Sequence, residues 1–222
     1  EMVDIVRIDH FRGFAGYWEI PGNAETAIDG RWVPGPGAEL FHALRRHLGE
    51  VAIIAEDLGV ITPDVDQLRD TFHFPGMRVL QFAFGNDAKA ADYRPDSYPP
   101  NCVVYTGTHD NDTTVGWFCS EPGKDSTRSV EEIAAERKAI LDYLGSDGQE
   151  IQWDLMALAE RSKANTAIFP LQDLLGLGTE ARMNVPGTKG GNWRWRFTWD
   201  QLTPEIKQRM RGLAESTGRI HD

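Results

Sequence analysis

Three carboxylates, Asp9, Glu56 and Asp110, follow stretches with strand character. The first stretch is Ile5-Val6-Arg7-Ile8-Asp9-His10-Phe11-Arg12, read as a buried strand that ends on a carboxylate. Strand side chains alternate with period two, so Arg7 and Asp9 share a face. A guanidinium beside a carboxylate favours its ionised form, as a nucleophile requires. Glu56 and Asp57 follow the apolar run Val51-Ala52-Ile53-Ile54-Ala55. Asp110 follows Cys102-Val103-Val104-Tyr105-Thr106, in a polar stretch that runs to Asp112. Breaking a glycosidic bond uses two carboxyl groups, one attacking the sugar carbon and one exchanging a proton with the bridging oxygen. A third acid can stabilise the positive charge that develops. Strand-end acids also hold magnesium in other enzymes, so the pattern leaves both chemistries open.

The intervening elements must bring these acids together. The apolar spacing of Leu40, Leu44 and Leu48 predicts a helix over 38–48, stopped by Gly49. The run at 51–55 predicts a strand covered on both faces. Thr62-Pro63 predicts a helix start, with Thr62 as N-cap and Pro63 in the first turn. Further strands are predicted at about 77–84, 102–106 and 166–171, the last followed by Gln172-Asp173. Ser129 and Glu132 form a capping-box pattern at the head of a helical region over 129–163, broken at Gly145 to Gly148. A last short helix follows Thr203-Pro204. Residues 11–37 are rich in glycine, proline and aromatics and read as a long irregular loop. Five strands alternating with helices, with polar groups at the strand ends, indicate a β/α barrel or an open doubly wound sheet.

Composition narrows the partners. The 222 residues carry 23 basic and 34 acidic side chains, a formal net charge of −11, which disfavours nucleic acid and anionic membrane surfaces. Cys102 and Cys119 form no Cys-x-x-Cys pair, so no zinc site is expected; their spacing leaves a disulfide open, and two free thiols are expected in a reducing compartment. No apolar run reaches transmembrane length. Glu1-Met2-Val3-Asp4 leads straight into the first strand without a leader pattern, so a cytoplasmic location is expected, or a plastid in a plant.

Arg7-Ile8-Asp9-His10-Phe11-Arg12-Gly13-Phe14, Ala55-Glu56-Asp57-Leu58-Gly59 and Gly107-Thr108-His109-Asp110-Asn111-Asp112-Thr113 resemble motifs of the 4-α-glucanotransferases. These are the amylomaltases, or disproportionating enzymes, of glycoside hydrolase family seventy-seven. Gly30-Arg31-Trp32-Val33, Pro36-Gly37, Ala181 to Thr188 and Gly191 to Arg196 are also similar to that family, so the resemblance runs in order over the chain.

The resemblance implies a retaining α-glucan transferase on an α/β fold, a (β/α)8 TIM barrel of which this chain would supply about strands four to eight. It implies Asp9 as nucleophile, Glu56 as general acid/base and Asp110 as transition-state stabiliser. Arg7 would hold Asp9, His109 would bind sugar hydroxyls, Asn184 would lie in a loop over the acceptor groove, and Trp18 would contact substrate. Asp57 is expected to be a supporting or structural acid, and Trp193, Trp195 and Trp199 packing residues. By residue type and position, Asn111 and Asp112 are better candidates than Asp110 to cap the following helix. No metal or other cofactor is implied. The expected partners are maltooligosaccharides or α-1,4-glucan, with the N-terminal barrel half or a second copy completing a chain that is incomplete alone. The competing expectations are an α-glucan hydrolase and a non-catalytic remnant that binds glucan or self-associates.

Overall fold

The computed structural model describes residues 3–123 and 128–220. Glu1 and Met2, placed ahead of the first strand in the sequence reading, lie outside the described residues. The chain divides into two compact units, residues 1–77 with 101–103, and residues 78–100 with 104–222.

The first unit holds β1 (Val6–Ile8), β2 (Gly16–Glu19), β3 (Arg31–Pro34), α1 (Ala38–Leu48), β4 (Ile53–Ala55) and α2 (Pro63–Thr71). β1 and β4 run parallel, with Val6 opposite Ile53, Arg7 opposite Ile54 and Ile8 opposite Ala55. All three β4 residues are buried, as the continuous apolar run predicts. β1 is shorter and more open than expected. Val6 keeps 41% and Ile5 55% of their surface exposed, because among the described residues β1 pairs only with β4 and its other edge is free. The expected loop at 11–37 contains an antiparallel hairpin, in which Trp18 faces Trp32 and Glu19 faces Arg31. Its glycines and prolines hid two four-residue strands whose cross-strand pairs are aromatic and ionic.

α1 has the predicted ends but a rotated face. Phe41 is its buried residue, while Leu48 at the last turn is exposed. Phe41 meets Phe11, Phe14, Phe72 and Phe74, with ring centroids 5.2–5.5 Å apart. Val65, Leu68, Ile53 and Ala55 complete this core. Thr62 is the N-cap of α2, but its side chain makes no bond to the helix backbone. Its hydroxyl meets the Asp64 carboxylate instead and holds that carboxyl below its ordinary range.

β5 (Gly76–Val79) and β6 (Cys102–Tyr105) form a three-stranded sheet with β7 (Thr166–Ile168), in the order β5-β6-β7. The run predicted as one strand to residue 84 turns into a 3-10 helix at Leu80–Phe82, and the run predicted to 171 gives way to α6 (Leu171–Leu174). The second unit carries α3 (Thr114–Cys119), α4 (Val130–Leu144), α5 (Ile151–Glu160) and α7 (Pro204–Ser216). Ser129 and Glu132 make the predicted capping box of α4, and Gly145 ends it at φ 62°. α5, buried through Ile151, Trp153, Leu155, Met156 and Ala159, packs against α3, α6 and α7. Cys102 and Cys119 are not joined in a disulfide; Cys102 is buried and Cys119 exposed. Among the described residues no helix is long and apolar enough to cross a membrane.

Two measurements test this packing. Phe41→Ala empties the centre of the aromatic cluster and should cost about 3–5 kcal/mol in urea unfolding. Tyr143 donates to Asp96 Oδ2 at 2.8 Å, and burial, then this acidic partner, pushes its phenol up from 10.0 to about 12. Because the folded value lies above the unfolded one, the associated stability is present below pH 10 and is lost as pH rises through about 12. Ultraviolet titration should show a late-ionising tyrosine that Tyr143→Phe removes.

Candidate active site

In the first unit the parallel pairing carries past the last strand residues. Glu56 N–H donates to Ile8 O at 3.0 Å, and Phe11 N–H donates to Glu56 O at 3.0 Å. Asp9 and Glu56 therefore leave neighbouring strands at the same level. Arg7 Nη2 donates to Asp9 Oδ1 at 2.7 Å, as the period-two reading requires, and Arg7 Nε lies 3.2 Å from Met77 Sδ. The Asp9 side chain is 74% exposed, so its carboxylate is open to a ligand.

Glu56 is fixed by backbone. Its Oε2 accepts His10 N–H at 2.6 Å and its Oε1 accepts Leu58 N–H at 2.9 Å. His10 reaches this position in the left-handed region, at φ 48°. Asp57 points the other way, as alternate residues must, and is buried as expected for a structural acid. Its Oδ1 accepts Met77 N–H at 2.6 Å and its Oδ2 pairs with Arg69 at 2.6 Å. Gly76 makes room for it, since a Cβ there would stand 2.3 Å from Asp57 Oδ2. Trp18 is committed to the hairpin. Its Nε1 donates to Ala27 O at 2.8 Å and its ring meets Trp32 edge-on at 5.5 Å.

The second unit gathers Asp110, His109 and Asn184. Asp110 Oδ1 accepts from Asn184 Nδ2 at 2.5 Å, and Asp110 Oδ2 lies 3.4 Å from His109 Nε2. Asn184 N–H donates to His109 O at 3.1 Å. Arg182, given no role from the sequence, donates from Nη2 to Asp110 O at 2.7 Å and from Nε to Asn184 O at 2.9 Å. Its signal was its place two residues before Asn184 within one motif. The Asp110 side chain stays 48% exposed. It lines a cavity of about 730 Å³, with Phe82, Trp117, Arg128 and Arg182 among the walls.

Two sequence expectations are corrected here. Asn111 and Asp112 do not cap α3; Thr113 does, its Oγ1 accepting Gly116 N–H at 3.0 Å. Asn111 instead closes its own turn, with Oδ1 accepting Thr108 N–H and hydroxyl at 2.9 Å. Asp112 Oδ2 accepts the Thr179 hydroxyl at 2.7 Å, and its carbonyl accepts from Gln81 Nε2 at 2.9 Å. Trp193 is not core packing either. It is 52% exposed and lies 5.2 Å from the His109 ring.

Fold and site together define an α/β protein with acidic groups at the C-terminal ends of parallel strands. A family model described as 4-alpha-glucanotransferase matches residues 1–203, and the chain belongs to that family. It is 48% identical to the 4-alpha-glucanotransferase of Thermus thermophilus over 222 residues, 99% of this chain and 43% of the relative. It is 50% identical to the 4-alpha-glucanotransferase of Synechocystis, over 99% of this chain and 42% of that relative. The structure superposes on the amylomaltase of Streptococcus agalactiae in complex with acarbose with a TM-score of 0.88 and 35% identity, over 99% of this chain and 42% of that one. The chain thus spans less than half the length of these relatives.

Asp57→Ala would remove the buried acceptor of Met77 N–H and one of the three carboxylates around Arg69, which keeps Asp66 and Asp70. Urea unfolding should show a loss of about 1–3 kcal/mol.

Proposed function

We propose that this chain carries the catalytic carboxylates of a retaining 4-α-glucanotransferase. The observation that supports it most is the parallel pairing that sets Asp9 and Glu56 at neighbouring strand ends, with Arg7 on Asp9. In this reading residues 1–222 are the C-terminal part of the catalytic barrel, about strands four to eight of a (β/α)8 arrangement. The rest of the polypeptide, or a second copy, covers the free edge of β1.

The donor is an α-1,4-glucan or maltooligosaccharide. Asp9 attacks the anomeric carbon through Oδ2, since Oδ1 is held by Arg7. Glu56 gives its proton to the bridging oxygen, the first sugar leaves as a free hydroxyl, and a β-glucosyl ester on Asp9 remains. Each Glu56 oxygen accepts one backbone N–H and keeps a second lone pair for the proton it exchanges. The 4-hydroxyl of an acceptor glucan then loses its proton to Glu56 and attacks the same carbon, which releases Asp9 with overall retention. Asp110, oriented by Asn184 beside His109, stabilises the cationic sugar in both steps. Asn184 and His109 then contact substrate. Trp18 contributes through the ring face left open beside Trp32. No cofactor enters the scheme.

Incubation with maltotriose tests the proposal. Transfer should give glucose together with longer oligomers, and Asp9→Asn should lower kcat at least about 10³-fold, the scale of removing a nucleophile. Release of shorter sugars only would indicate a hydrolase instead. No product from the full polypeptide, with glucan still bound, would leave a binding remnant.

A further inference from the structure

The chain places Gln172 and Asp173 just past β7, and the proposed reaction uses neither. Both are buried, Asp173 completely. Asp173 Oδ1 accepts Thr114 N–H at 2.8 Å, while its Oδ2 accepts the hydroxyls of Thr106 at 2.6 Å and Thr114 at 2.8 Å. None of these partners is charged. Burial pushes this carboxyl up, against the pull of the Thr106 and Thr114 bonds. A buried carboxylate without a cation is a poor way to stabilise a fold, and apolar packing would serve better. Its placement is what distinguishes it. Thr106 is the last residue before the turn 107–113, and Thr114 is the first residue of α3 beyond it. One carboxylate therefore ties both feet of the loop that carries His109 and Asp110.

Gln172 secures the opposing segment. Its Nε2 donates to Ala181 O at 3.1 Å, directly before Arg182 and Asn184, which hold Asp110 from that side. Asp112 joins the two segments through Thr179, at 2.7 Å.

We propose that Asp173 is the positioning residue for Asp110, clamping the loop 107–113 by its two feet while Gln172 anchors the segment that orients the Asp110 side chain. The inference rests on the role given to Asp110 above. It requires that Asp173 act through Asp110 and without touching substrate.

The test uses the full polypeptide with Asp173→Ala, Asp173→Asn, Thr106→Val and Asp110→Asn, each checked for folding by circular dichroism. Asp173→Ala should lower kcat for maltotriose disproportionation about 30- to 100-fold, as expected of a misplacement near 1 Å. KM should stay within about two-fold, and the amides of 108–112 should exchange at least about ten-fold faster. Asp173→Asn should recover most of the rate, because the amide oxygen still accepts Thr114 N–H and the amide nitrogen can donate to hydroxyls turned around. In an Asp110→Asn background, Asp173→Ala should cost little further, the signature of coupled residues. Independent losses in the double variant, or kcat and loop exchange within about two-fold of the parent, overturn the proposal. Should Asp173→Ala fail to fold, Thr106→Val decides: unchanged kcat and loop exchange overturn the clamp, and faster exchange with lower kcat supports it. A parent that transfers no glucan refutes the transferase reading instead, and loop exchange alone then decides whether the clamp exists.

Discussion

The parallel pairing of β1 with β4 is the constraint on which the placement of the first unit's carboxylates depends. Ile8 opposite Ala55 fixes where both strands end, and the next residue on each is a carboxylate. A slip of one residue would turn every side chain to the other face. Arg7 and Asp9, both carried by β1, would stay together, but Glu56 would exchange places with Asp57 beside them. The register is held from behind by the aromatic core around Phe41, which buries Ile53 and Ala55. Packing far from the carboxylates thus sets their geometry to within a residue.

The two neighbouring acids Glu56 and Asp57 show how environment divides labour between like groups. Glu56 is half-buried and, among the described residues, is held by the backbone N–H groups of His10 and Leu58, so its carboxyl stays within reach of a ligand. Asp57 is buried, paired with Arg69, and packed so closely that only glycine fits at position 76. Alternation along the strand alone separates the two roles. In the second unit Asp110 and Asp173 make a similar contrast, the first exposed and oriented by side chains, the second buried and tying down the backbone.

Much of this was legible because it is local. The bounds of α1, the capping box of α4, the apolar run of β4 and the Arg7–Asp9 contact all follow from spacing within a few residues. The failures have a common cause. Strand runs were read too long at 77–84 and 166–171, because apolar residues continue into a 3-10 turn and into α6 without a break in hydrophobicity. The hairpin at 16–34 was read as a loop, because its glycines and prolines signal turns while its strands are stabilised by pairing across twelve or more residues. Asp173 was passed over because an acid at a strand end looks the same in sequence whether it faces a ligand or a buried hydroxyl.

By itself, the sequence determined which acids follow strand-like runs, which family the motifs resemble, and where most helices start. Those properties reside in side-chain identity and in backbone preferences over one or two turns. Tertiary structure decided which acid stays open to a ligand and which is buried, that Asn184 and Arg182 converge on Asp110, and that Trp18 packs on Trp32. It also decided that β1 keeps one edge free among the described residues. Burial and convergence depend on contacts between residues tens of positions apart, and no local pattern encodes which partner a side chain will meet.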